Sequence, residues 1–185
     1  MKKDALNTRV KEHYEEYLSI KVDPKASDAK DVFLKPKDNH KDREVADIQI
    51  NDLLHDREFT LRFYGNKDWA SKYAINLFCK EFMETACYRF DSFGDQHVNY
   101  KNNPLKKRVV TTPHFNEFDS DGIEIAYKSP ELENPQYNVA DRIAALKLFA
   151  RIHNIDLDDN IAFHSESLFK PQGGIVDPLI GVDFQ

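Results

Sequence analysis

Alternation of side-chain character constrains this chain most tightly around residues 57–64. There Phe59, Leu61 and Phe63 alternate with Thr60, Arg62 and Tyr64, and Gly65-Asn66 closes the run. A strand sends successive side chains to opposite faces, so this stretch predicts a strand with one buried and one wet face. Such a strand needs pairing neighbours, and the adjoining sequence offers them. Residues 44–54, 85–92, 109–118 and 123–128 also read as strands, and Asp119-Ser120-Asp121-Gly122 marks a tight hairpin between the last two. Residues 68–83 fit a helix face through Trp69, Tyr73, Leu77 and Phe78. They fit a strand face through Tyr73, Ile75, Leu77 and Cys79, and the strand neighbours favour a strand over 72–80.

Two helices are expected at the flanks. Leu6, Val10, Tyr14, Tyr17 and Leu18 recur at helical spacing over residues 3–20. A longer helix is expected over 138–153, capped by Asn138 and carrying an apolar stripe of Val139, Ile143, Leu146, Phe149, Ala150 and His153. The expected fold is therefore α+β: an antiparallel sheet of about five strands with one long helix packed on it and a looser N-terminal helix. Its organisation reads as a helical appendage (1–20), a polar linker punctuated by Pro24 and Pro36 (21–42), the α+β domain (43–168) and an extended C-terminal tail (169–185).

Composition narrows the function classes. With 41% hydrophobic residues, 13 Phe and 8 Tyr, the chain can build a core. Its net charge of −6 argues against direct nucleic-acid binding, which Lys and Arg drive, and favours a protein partner with a basic surface. No apolar run is long enough to span a membrane, and the N-terminal residues lack the apolar core of a signal peptide. Cys79 and Cys87 form no C-x-x-C pair and read as buried, reduced thiols, which points to the cytoplasm.

The stretch 87–127 gathers the residues with chemistry. If 85–92 and 109–118 are strands, Arg89, Asp91, His114 and Asn116 share a face, and the connection from 93 to 108 can fold His97 back over it. Two histidines and a carboxylate are acceptable zinc ligands, so a metal site of Asp91, His97 and His114 is one reading, and a structural Asp91–Arg89 pair is the other. Several named chemistries are excluded. The His-x-Asn tripeptides lack the hydroxyl residue of two-histidine phosphoesterases and lie too close together. There is no P-loop, G-x-G-x-x-G or G-x-S-x-G turn, and Ile155–Asn160 lacks the glycine and closing glutamate of an EF-hand. The basic run 101–108 reads as a solvated hairpin tip.

The pattern R-F-D (89–91), H-V-N (97–99), T-P-H-F-N (112–116) and A-Y (126–127) resembles an uncharacterised family of small bacterial and mobile-element proteins. In that family the matching positions read R-x-D, H-x-N-P, P-H-x-H and A-Y, followed by a closing helix. The resemblance covers about residues 85–155 and implies that Asp91, His97 and His114 are signature positions, with Arg89, Asn116 and Tyr127 beside them. Asn116 stands where the family has a second histidine, which weakens a tight metal site. The family carries no activity across. The expected function is a non-enzymatic, cytoplasmic protein-binding factor of phage or mobile-element type, inhibiting a host-defence nuclease complex such as a CRISPR effector. A metal-dependent hydrolase or nuclease, with zinc held by Asp91, His97 and His114, is the alternative.

Overall fold

The structure, a computed structural model, describes residues 6–38 and 40–165. The first three residues of the expected N-terminal helix and the tail 169–185 lie outside the described residues. The described part is mostly sheet. Ten strands join one mixed sheet, and two more form a separate hairpin.

The long central strands follow the alternation in the sequence. They are β3 (His40–Asp52), β4 (Glu58–Asn66) and β5 (Tyr73–Cys79), paired antiparallel in that order. Phe59, Leu61, Phe63, Ile75 and Leu77 are wholly buried on one face. The segment that fitted helix or strand equally is thus a strand over 73–79. From β5 the sheet runs through β6 (Tyr88–Asp91) and β9 (His114–Phe118) to its edge at β10 (Glu124–Tyr127). Between β6 and β9, β7 (His97–Asn99) and β8 (Arg108–Val110) make the separate hairpin. The expected strand 109–118 is therefore two strands interrupted at residues 111–113.

Four short helices complete the described residues, so the expected architecture of about five antiparallel strands under one long helix is overturned. Two features of the sequence hid the extra strands. First, the supposed polar linker holds β1 (Lys25–Ser27) and β2 (Asp31–Lys37). Pro36 sits in β2 where its register against β3 shifts, a place where a missing N–H costs the ladder least. Second, the chain after the last helix holds β11 (Ile155–Leu157) and β12 (Ala162–Ser165), which pair parallel with β1 and β2. β1, β11 and β12, of three or four residues, carry too little alternation to be recognised locally, and the seven residues of β2 are interrupted by Pro36.

The helices are α1 (Thr8–Glu12), α2 (Tyr14–Val22), α3 (Pro130–Glu133) and α4 (Arg142–Ile152). The helix expected from 138 begins at 142, because Asp141, not Asn138, accepts the N–H of Ala144 (2.9 Å) as cap. Asn138 instead closes a turn onto the N–H of Ala140 (3.0 Å). Leu146 and Phe149 of α4 are wholly buried, and α4 is tied to β3 by an Arg142–Glu44 pair of 2.7 Å. Residues 6–20 are built into the same core: Val10, Tyr17 and Ile20 are at most 1% exposed. The Tyr17 hydroxyl donates to the Cys87 carbonyl and accepts the Phe118 N–H, and the Tyr88 hydroxyl donates to the Tyr17 carbonyl.

Candidate functional site

The register of β6 against β9 pairs Asp91 with His114 and Arg89 with Asn116, so all four side chains share the outer face of the sheet. Asp91 Oδ2 accepts the Asn116 side-chain N–H at 2.7 Å and lies 3.4 Å from the Arg89 guanidinium. His114 Nε2 is 3.7 Å from the same oxygen, an ion-pair distance longer than a hydrogen bond. Arg89 also reaches Glu124 on β10, at 3.0 Å.

His97 arrives from the β7–β8 hairpin, its ring edge-on to His114 with centroids 6.1 Å apart. The hairpin is held there by Asn99. Its side-chain amide donates to the Ala126 carbonyl and accepts the Ala126 N–H, both at 2.8 Å. Ala126 lies on β10, the edge of the sheet, so one amide side chain satisfies backbone groups that another strand would otherwise take.

Tyr127 stands apart from the cluster. Alternation turns it to the core face, where it stacks on Phe115 (5.5 Å) and lies beneath the Lys21 ammonium (5.3 Å).

Burial dominates the electrostatics of His114, whose ring is 3% exposed. Burial lowers its pKa from the ordinary histidine value, against the opposing pull of Asp91 and the Thr111 backbone, and His97 and Arg89 lower it further. His114 is therefore neutral at pH 7. Its Nδ1 and the Asn116 Oδ1 are buried without a hydrogen-bond partner. Among the described residues no group of three or more His, Cys, Asp or Glu side chains is arranged to hold a metal ion. The expected ligands Asp91, His97 and His114 are close, yet Asp91 is occupied by Asn116 and Arg89, and His114 is sealed from solvent.

A different surface was missed in the sequence. Trp69, from the β4–β5 turn, and Phe93, from the loop after β6, are 58% and 59% exposed. Between them lies the Lys72 ammonium, 4.0 Å from the Trp69 ring centre and 4.4 Å from that of Phe93. Among the described residues the Lys72 ammonium makes no hydrogen bond or ion pair, so its side-chain donors are free.

Both loops are fixed from behind. The Asn66 side chain accepts the N–H groups of Asp68 and Trp69, each at 3.0 Å. Arg142 of α4 donates to the carbonyls of Asn66 and Ala70. Ser92 Oγ donates to the Tyr73 carbonyl and accepts the Tyr73 N–H at 2.8 Å, which sets Phe93 against Lys72. A cleft of about 460 Å³ opens beside Lys72 and Phe93, bounded by Asp42, Arg43 and Tyr64. The available signal was two large aromatics adjoining the turn residues Gly65-Asn66 and Gly94-Asp95, at places where no core needs them.

Comparisons with family models, curated proteins and solved structures return no match. No family is shown. No helix is long and apolar enough to cross a membrane among the described residues.

Proposed function

We propose that this chain acts by binding another protein, with Trp69, Lys72 and Phe93 as the anchor of the contact. The observation that carries this reading is an exposed aromatic pair clasping an ammonium group whose donors have no acceptor among the described residues. Exposed aromatics are what binding hot spots use, and an anchor already held in place loses less entropy on docking. A partner carbonyl or carboxylate meets Lys72 while its apolar flanks cover the two rings. The Asp91 cluster supports a non-enzymatic role, since its one carboxylate is bonded inward and its buried histidine has no route to a substrate.

The finer form of the proposal is an inhibitor of a host-defence nuclease such as a CRISPR effector. Support comes from the net charge of −6, because such effectors hold their heteroduplex in a positively charged channel.

The test is affinity capture with the full chain, then direct binding and cleavage assays with the captured protein and with purified effectors. Changing Trp69→Ala and Phe93→Ala together, at exposed positions that leave the fold intact, should weaken binding at least 30-fold, as expected when about 2 kcal/mol or more of hot-spot contact is lost. A partner bound equally well by the double variant overturns the anchor. Hydrolysis that disappears on His114→Ala overturns the non-enzymatic reading.

A further inference from the structure

β3 is thirteen residues long, and on the side away from β4 it is paired, among the described residues, only near its two ends. β2 takes Glu44 and Val45 through Pro36 and Lys35, with one further pair at His40. β1 takes Asn51 and Asp52 through Ala26 and Lys25. Between those contacts residues 28–34 do not pair with β3, because β2 gives residues 31–34 to β12 instead. Two hydrogen bonds show which backbone groups face the opening. Ser27 Oγ donates to the Gln49 carbonyl (2.8 Å), and the Leu53 N–H donates to the Pro24 carbonyl (3.1 Å). In an antiparallel strand the N–H and C=O of a residue point to one side, and alternate residues share that side. The N–H and C=O of Asp47 and the N–H of Gln49 therefore face the opening, with no strand beside them among the described residues.

The opening is a groove of about 590 Å³. Val32, Ala46 and Ile48 give it apolar walls, and Asp28, Asp31 and Asp47 set three carboxylates along it against the single cation Lys35. Asp47 is paired with Arg62 and Asp31 with His164, but Asp28 is exposed and has no ion pair among the described residues.

We propose that this groove receives a short extended segment of the partner protein as an added strand on β3, with basic residues alternating with a small apolar one. The inference rests on the protein-binding reading and names a second contact for it. A sheet edge offers a peptide its backbone hydrogen bonds, and alternate side chains give the selectivity. Side chains of the segment beside Asp47 and Gln49 fall on the rim that holds Asp28, the carboxylate without an ion pair among the described residues, and the one between them falls on Val32 and Ile48. Pairing at both ends of β3 limits the added strand to the five residues 46–50, about 17 Å at the usual rise per residue. The segment therefore bends in and out of the groove, as the tip of a loop does.

The probe is a capped Gly-Lys-Val-Lys-Gly peptide added to the full ¹⁵N-labelled chain. The amide signals of Asp47 and Gln49 should move downfield and exchange more slowly. Added parallel to β3, the central residue donates its N–H to the Asp47 carbonyl and accepts the Gln49 N–H. A peptide with Pro in place of Val should therefore bind at least tenfold more weakly, and so should the parent peptide on the exposed-site variant Asp28→Lys. Silent Asp47 and Gln49 amides, or equal binding of both peptides, overturn the proposal. Failure here leaves the loss of partner binding in the Trp69/Phe93 double variant standing. Conversely, failure of that variant leaves these amide shifts unchanged, so the two readings fall separately.

Discussion

His153 ends α4 and is 1% exposed, with its ring stacked on Phe149 at 4.1 Å and tilted against Tyr88 at 4.8 Å. Its Nδ1–H donates to the Phe149 carbonyl at 2.7 Å. Burial is the largest influence and lowers its pKa to about 3; the Phe149 carbonyl opposes this, and Lys21 and Lys25 add to it. The folded state thus refuses a proton that the unfolded chain takes near pH 6.5. The stabilisation is complete above that pH and is lost as pH falls toward about 3. Each pH unit in that window removes up to about 1.4 kcal/mol, so at pH 5 the loss from this one ring is about 2 kcal/mol. Against a typical total of about 5–15 kcal/mol, that is a large fraction.

Urea unfolding followed by circular dichroism at pH 7.5, 6 and 5 reads it directly. His153→Phe keeps a flat ring against Phe149 and removes the titrating group, so its stability should fall less over that range, by about 2 kcal/mol at pH 5. His114, whose pKa is also lowered by burial, contributes with the same sign. The difference between variant and parent therefore carries the test, not the absolute slope. Equal slopes for the two proteins refute the reasoning.

Asp52→Ala should cost about 1–3 kcal/mol at pH 7, because it removes a fully buried carboxylate 2.5 Å from the Arg57 Nε while Arg57 keeps Asp23 at 2.7 Å and Ser19 at 2.8 Å. Burial alone raises the Asp52 pKa, but the N–H groups of Leu54 and His55 and Arg57 outweigh it and lower the net value. Its contribution is present above the ordinary carboxylate pKa and is lost as pH falls below it, so the cost in denaturant melts should shrink at pH 3; an unchanged cost counts against the ion pair. Asp91→Ala should cost about 1–3 kcal/mol by leaving the buried Asn116 amide unpaired. It should also lower the His114 pKa further, since Asp91 is the main group raising it, and an upward move in an NMR titration would contradict the assigned cluster.

Local alternation made β4, β6 and β10 legible, because each carries its own inside–outside pattern, whereas β5 fits a helix equally and only its neighbours favour a strand. It also made the shared face of Arg89, Asp91, His114 and Asn116 legible. Pairing by register turns i and i+2 spacing into neighbourhood without further information. What escaped was non-local. β1 reads Lys-Ala-Ser, and its Lys25 is 1% exposed with a pKa lowered by burial to about 8, its ammonium donating to the Asp23 carbonyl and lying over Phe59. Nothing in three such residues announces a strand. β1 forms because α4 returns the chain at Ile155 to pair with Lys25. Tyr127 was grouped with the site through the A-Y motif, although its own alternation with Ala126 places it on the opposite face.

The histidine cluster and the aromatic platform show why residue chemistry alone misdirects a reading of function. Along the outer face, Asp47, Arg62, Asn76, Arg89 and Asn116 stand in one cross-strand row. Most charges near that row are already answered: Asp47 by Arg62 at 2.6 Å, Arg89 by Glu124 at 3.0 Å, and Asp91 by Asn116 at 2.7 Å. A group that is to meet a substrate or a partner must keep its hydrogen-bonding capacity open. Asp91 does not, and His114 keeps Nδ1 open only where nothing can reach it. Lys72 does keep its donors open, at the surface, between two rings that no core requires. Availability rather than residue type therefore separates the two surfaces, and it is the ground on which the proposed contact is placed at Trp69, Lys72 and Phe93.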